Sequence, residues 1–281
     1  MKRILTIQDV SGVGKCSLTV ALPIISAAQI ETCVLPTAVL STHTQFKHYT
    51  FADLTDQIAP IAETWVKEGI AFDAIYTGYL GSYQQMELIE DLIEKFRTPE
   101  NFVFVDPVLG DAGELYARFD QAFADRMALF AAKADVVTPN LTEASAMLRV
   151  PYVESGYDEA YVHETLRKLC ALGPNVAVVK GIDYGYGDLG VVGYDKRSDQ
   201  FFSYFHERIP GQYHGTGDIF ASAAVAAITQ NRPYPEAFQI AADFTVDSIR
   251  RTIANPDART YGVDFESALP DFVAKFAQNR S

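Results

Sequence analysis

Arg3-Ile4-Leu5-Thr6-Ile7-Gln8 reads as a strand rich in β-branched and apolar residues, and Asp9-Val10-Ser11-Gly12-Val13-Gly14 reads as the turn that ends it. A helix is expected over residues 17–28 and a second strand over 31–35. Together they make the first βαβ unit of a parallel sheet, and that unit decides the fold class as α/β. The same grammar continues outward. Further apolar strands are expected at 72–77, 102–105, 136–138 and 175–180. Between them Leu54, Ile58, Ile61, Ala62 and Trp65 recur at helical spacing, which predicts a helix from Phe51 or Asp53 to Lys67 that Pro60 kinks or splits. Helices follow over 82–96, 120–133, from 140 onward, 157–172, 234–253 and 265–278. Residues 189–194 and 201–205 alternate around Asp195-Lys196-Arg197-Ser198-Asp199, an antiparallel hairpin at the sheet edge. With no repeat, low-complexity tract or linker, residues 1–281 are expected to form a single domain.

Composition narrows the function. A chain of 281 residues with 48% hydrophobic content is long enough for a substantial core. The apolar run from Leu18 to Leu40 is broken by Pro23, Gln29, Glu31 and Pro36, so no membrane span is expected. The first nine residues lack an apolar leader, which points to the cytoplasm. Three widely spaced cysteines, Cys16, Cys33 and Cys170, match neither a disulfide framework nor a zinc site. A formal charge of −13 without a basic stripe excludes nucleic acid and anionic membranes as partners. Any phosphate site must then rely on local amides, cations and metal.

Such a site is visible at His214-Gly215-Thr216-Gly217-Asp218, a small-residue turn running into the apolar helix that begins Ile219-Phe220-Ala221. Glycines let the backbone bring several N–H groups near an anion, and the helix adds the positive end of its dipole. Taken alone, Asp218 is either a helix cap or a base. Gly14-Lys15-Cys16-Ser17 is not a P-loop, because Asp9 stands where the first glycine is required and Cys16 where Ser or Thr is required. At the ends of successive strands stand Asp9, Asp106, Asn140 with Glu143, and Lys180, where one crevice of an open sheet collects ligands. Read singly, Asp106 before Pro107 is a turn former, Asn140 a cap, Glu143 a solvated first-turn carboxylate and Lys180 an edge cation. An anion cradle, an acidic pair, a cation and a base are, together, the parts of phosphoryl transfer.

Five motifs in order carry a resemblance: Gly-Tyr-Leu-Gly-Ser at 78–82, Asp-Pro-Val-Leu-Gly-Asp at 106–111, Pro-Asn-Leu-Thr-Glu at 139–143, Val-Lys-Gly at 179–181 and Gly-Thr-Gly-Asp at 215–218. The chain resembles the ribokinase-like superfamily and, within it, the pyridoxal kinases, whose pyridine-binding segment looks like Ser41-Thr42-His43-Thr44-Gln45. The resemblance spans residues 3 to about 253. It implies a three-layer α/β/α sandwich with a mostly parallel sheet, and an ATP- and Mg²⁺-dependent kinase of B6 vitamers, with a monovalent cation such as K⁺ a further candidate. By the same resemblance Asp218 is the general base and Gly215, Thr216 and Gly217 form the anion hole. Asp106 and Glu143 match the acidic positions near Mg²⁺, while Asn140, Lys180 and, in the segment before the anion hole, Arg208 match or reach the nucleotide phosphates. Thr44, Gln45 and Tyr79 match ring-binding positions, and a homodimer is implied.

Three departures stand out. Asp9 takes the place of a ring-contacting serine, where an aspartate pairs with a pyridinium N–H, or with an aminopyrimidine if the chain belongs with the related hydroxymethylpyrimidine kinases. The segment from Glu207 to Tyr213 is short beside the lids of many relatives. Thr216 occupies a position that is Cys in some bacterial relatives, which excludes a thiol role there.

Overall fold

The computed structural model describes residues 1–277, so Gln278, the last residue of the helix expected over 265–278, lies outside the described residues. In chain order the first six elements are β1 (Arg3–Val13), α1 (Leu18–Ala27), β2 (Glu31–Thr42), β3 (Phe51–Asp53), α2 (Thr55–Lys67) and β4 (Ala74–Thr77). Next come α3 (Tyr83–Phe96), β5 (Phe102–Val105), β6 (Gly110–Asp111), β7 (Glu114–Leu115), α4 (Gln121–Ala131), β8 (Val136–Val137), α5 (Leu141–Leu148) and α6 (Glu159–Leu172). The last are β9 (Val176–Ile182), β10 (Asp188–Asp195), β11 (Gln200–Glu207), α7 (Thr216–Thr229), α8 (Tyr234–Ala254), a 3₁₀ turn (Phe265–Ala268) and α9 (Leu269–Ala277). The chain divides into two compact units, Met1–Gly78 with Ile209–Ser281, and Tyr79–Arg208.

In the first unit β1 lies between β2 and β4, parallel to both, and β3 adds an antiparallel edge to β2. Ile4, Leu5, Ile7 and Leu35 are wholly buried, as expected for strands covered on both faces. Helix α7 is apolar all round, with Ile219 through Ala227 buried, and it packs between α1 and α8. Its alanines bring the neighbouring helices close.

Three expectations for this unit are corrected. Residues 9–13 do not form a turn: β1 continues to Val13, and β2 runs on to Thr42 rather than ending at Leu35. Backbone pairing of Val10 with Val39 and Val13 with Thr42 outweighs the turn-forming composition, after a register shift between Gln8 and Val10 that leaves Asp9 at an irregularity. Residues 51–53 are strand, not the start of a helix; α2 begins only at Thr55, whose N–H donates to Asp53 Oδ1 at 2.7 Å. Pro60 removes one ladder bond but neither splits nor ends α2.

In the second unit β5, β8 and β9 run parallel, and β10 and β11 follow as the expected antiparallel hairpin, one or two residues longer at each end than the sequence suggests. The small β6–β7 ladder was not foreseen. Helix α6 starts at Glu159 rather than Tyr157, because Asp158 takes the N-cap and accepts from the N–H of Tyr161 at 2.9 Å. Among the described residues no helix is long and apolar enough to cross a membrane.

Candidate active site

Two clusters hold most of the residues singled out by the sequence, one in each unit. In the first unit the cluster forms where the first turns of α1 and α7 approach Asp9 of β1. The N-cap of α7 is Gly215, held at φ 80°, in the left-handed region. A Cβ there would lie 2.0 Å from the carbonyl oxygen of Lys15, so only glycine fits. Asp218 is the third residue of the helix, and its Oδ2 accepts from the backbone N–H of Ser17 at 2.9 Å. The amides of the first turn, Thr216 and Gly217 among them, belong to the donors that a helix N-terminus leaves without intrahelical partners. Thr216 turns its hydroxyl back onto the carbonyl of Tyr213 at 3.0 Å.

Asp9 is 7% exposed, and both its oxygens are engaged: Oδ1 accepts from Ser17 Oγ at 2.7 Å and Oδ2 from Ser11 Oγ at 3.2 Å. Burial raises its pKa, and the two serine hydroxyls pull it partly back. Ser17 therefore touches both carboxylates, with its hydroxyl on Asp9 and its amide on Asp218. It does so from φ 50°, ψ −129°, a conformation that costs a side-chain-bearing residue about 1–3 kcal/mol. Sequence reasoning saw Ser17 only as the start of a helix and the end of a failed P-loop. Burial pushes the neighbouring Cys16 thiol up to about 12, and the Asp218 carboxylate adds to this, so the thiol stays protonated at neutral pH.

Lys15 is bound by Asp264 Oδ1 at 2.6 Å and Glu266 Oε2 at 2.9 Å, with 16% of its side chain exposed. Its ammonium is thus committed to the C-terminal segment, which agrees with rejection of the P-loop. Burial pulls the Lys15 pKa down, but the two carboxylates outweigh it and hold the group above its ordinary value. Replacing Lys15 with Met leaves Asp264 half-desolvated without its cation. The expected loss is about 2 kcal/mol, below the 3–5 typical of fully buried pairs, and chemical denaturation at neutral pH measures it. The same segment meets the Ser41-to-Gln45 run: His43 Nε2 lies 3.0 Å from the carbonyl oxygen of Tyr261, and Phe46 packs on both rings. Thr44 and Gln45 are exposed, and Gln45 Nε2 is 2.8 Å from Nδ1 of His214, the residue before the α7 cap.

The cluster of the second unit centres on Asp106, 2% exposed, whose Oδ1 accepts from Lys180 Nζ at 2.6 Å and Thr138 Oγ1 at 3.0 Å. Glu143 is 4% exposed and so is not a solvated first-turn carboxylate. It forms a capping box with Asn140: Glu143 Oε2 accepts from the N–H of Asn140 and Asn140 Oδ1 from the N–H of Glu143, each at 2.8 Å. Glu143 Oε1 accepts from the N–H of Leu109 at 3.1 Å, and Asn140 Nδ2 donates to the carbonyl of Gly110 at 2.8 Å. Burial holds the Glu143 carboxyl well above the ordinary carboxylate range, the Lys180 cation draws it down, and the Asp106 charge pushes it up again.

Among the described residues no three His, Cys, Asp or Glu side chains gather as a metal cage. Two carboxylates already engaged by amides, a hydroxyl and an ammonium fit a hydrated Mg²⁺ that keeps its waters and shares phosphate oxygens; they do not fit an all-protein site. Two expected site residues stand apart from this cluster. Tyr79, at the start of the unit, has its ring 5.6 Å from that of Phe119. Arg208, at its end, is paired with Asp183 Oδ2 at 2.8 Å through an exposed side chain.

A family model described as phosphomethylpyrimidine kinase matches residues 22–260. The chain belongs to this family. A pyridoxine kinase of Bacillus subtilis is 30% identical over 216 residues, covering 74% of each chain. A pyridoxal kinase of Arabidopsis thaliana is also 30% identical, but the match covers 64% of this chain and only 58% of that one. Among solved structures, a Bacteroides thetaiotaomicron protein assigned to the phosphomethylpyrimidine kinases is 38% identical, with a TM-score of 0.93 over 96% of this chain and 93% of its own. A second crystal form of it, with pyridoxal, is 37% identical at a TM-score of 0.91. The pyridoxal kinase of Lactobacillus plantarum superposes with a TM-score of 0.89 at 29% identity, covering 98% of both chains. The family's ribokinase-like α/β fold, with a mostly parallel sheet and an antiparallel edge hairpin, is therefore the fold of this chain.

Proposed function

We propose that the chain is a kinase that transfers the γ-phosphoryl group of ATP to the 5′-hydroxymethyl group of pyridoxal, pyridoxine or pyridoxamine. The observation that carries this reading is the pyridoxal held by the Bacteroides relative, whose structure matches at 37% identity over 96% of this chain. Asp218 takes the hydroxyl proton as the oxygen attacks the γ-phosphorus, the bond to the β-phosphate oxygen breaks, and ADP leaves. The amides of Gly215, Thr216 and Gly217 receive the negative charge that builds on the moving phosphoryl oxygens. A buried ion pair and a helix start support the assignment of Lys180, Asn140 and, once released from Asp183, Arg208 to the nucleotide phosphates. Mg²⁺ shields the phosphate charge when bound, and Asp106 and Glu143 would hold it through its waters. Thr44, Gln45, Tyr79 and Asp9 are the residues assigned to the pyridine ring. The reading includes one kinase domain spanning the chain, working in the cytoplasm as a homodimer.

The family model's own description favours a second reading, phosphorylation of a hydroxymethylpyrimidine. Steady-state rates with ATP on each alcohol separate the two. The expected result is a kcat/KM for at least one B6 vitamer above that for the pyrimidine; the reverse order overturns the substrate assignment.

A further inference from the structure

The use the structure makes of Ser17 is not that of an ordinary helix cap. A serine at an N-cap normally spends its hydroxyl on an amide of the helix it starts. Ser17 makes no such bond; its Oγ turns away to Asp9 Oδ1, leaving α1 without a side-chain cap. Its backbone sits at φ 50°, in a region that favours glycine, which persists only where the surroundings hold it. That backbone aims the Ser17 N–H at Asp218 Oδ2, 2.9 Å away. A carboxylate with one oxygen pinned by a main-chain amide can no longer turn freely, so the direction of its other oxygen is set. Asp9 is buried, with its second oxygen on Ser11, so little water competes for its hold on Ser17.

We propose that Asp9 and Ser17 are positioning residues for Asp218: Asp9 holds the Ser17 hydroxyl, and the strained turn so held presents the Ser17 amide that orients the Asp218 carboxylate. The inference rests on Asp218 being the base, and it moves Asp9 from ring recognition to orientation of the base. Both oxygens of Asp9 are already engaged, which suits a buttress better than a ring contact.

The test is steady-state kinetics with pyridoxal and ATP on Ser17→Ala, Ser17→Gly, Asp9→Ala and Asp9→Asn, with Asp218→Asn in parallel. Alanine keeps the strain and loses the tie, so Ser17→Ala is expected to lower kcat by about tenfold or more, with the pyridoxal KM within about twofold of wild type. Glycine accepts the same backbone without strain and keeps the amide, so Ser17→Gly is expected to recover kcat to about half of wild type. Asp9→Ala is expected to match Ser17→Ala, the double variant to be no worse than either single one, and Asp9→Asn, which keeps an acceptor oxygen, to lose less than Asp9→Ala. If Ser17→Ala does not fold, the Asp9 pair carries the test. A raised pyridoxal KM with unchanged kcat, or a glycine variant as slow as the alanine one, overturns the proposal. Loss of activity in Asp218→Asn beside normal kcat in the Asp9 and Ser17 variants removes the positioning role alone. Full activity in Asp218→Asn removes the base assignment, and the positioning role with it.

Discussion

Asp218→Asn is expected to lower kcat by about a thousandfold while leaving the binding of ATP and pyridoxal nearly unchanged. The substitution keeps the size of the side chain and keeps an oxygen able to accept from the Ser17 amide, so the first turn of α7 has no reason to move. What it removes is the ability to take a proton at neutral pH. General-base contributions are typically 10²–10⁴-fold, and no other carboxylate of the first cluster replaces this one, because both oxygens of Asp9 are held by serine hydroxyls. Rapid-quench kinetics combined with equilibrium titration of each ligand separates loss of chemistry from loss of binding. A variant that turns over within about tenfold of wild type leaves Asp218 with a charge or capping role only.

The second large effect is expected at Gly215. Its φ of 80° alone costs a side-chain-bearing residue about 1–3 kcal/mol. The added methyl would also sit 2.0 Å from the carbonyl oxygen of Lys15, a backbone atom on a turn anchored by Asp264 and Glu266, which cannot swing aside as a flexible side chain would. Gly215→Ala is therefore expected to destabilise the protein by about 3 kcal/mol, read as a shift in denaturation midpoint without a change in slope. Relief of the clash moves the first turn of α7, so kcat is expected to fall by about a hundredfold in the fraction that remains folded, the scale for loss of one anion-hole donor. An alanine variant with wild-type stability and kcat shows that the turn adapts and that the left-handed cap is dispensable.

Much of this was legible in the chain because it is local. The alternation of apolar strands with helical periodicity, and the hairpin around residues 195–199, depend on neighbours in sequence, and both appear in the structure. Asp106, Asn140, Glu143 and Lys180 were marked individually at strand ends, and they do form one cluster. The i, i+3 spacing of Asn140 and Glu143 is that of the capping box they close, but nothing in the sequence shows that Lys180 lies on Asp106. Less legible were features settled by partners far away in sequence. Residues 9–13 have the composition of a turn, yet backbone pairing to residues 39–42 makes them strand. Lys15 meets Asp264 across 249 residues, and Ser17 meets Asp218 across 201. No local pattern encodes such contacts, and the Gly-Lys-Cys-Ser run, which composition set beside a P-loop, has its lysine bound to carboxylates and its serine between two others.

The central claim is the transfer of a phosphoryl group to the vitamer's hydroxymethyl oxygen, and its most direct test is product analysis of the purified protein with ATP, Mg²⁺ and pyridoxal. Pyridoxal 5′-phosphate and ADP are expected in equal amounts, with formation of the phosphorylated vitamer abolished in Asp218→Asn. Release of inorganic phosphate without phosphorylated vitamer, or phosphorylation of a hydroxymethylpyrimidine with none of any B6 vitamer, would contradict it.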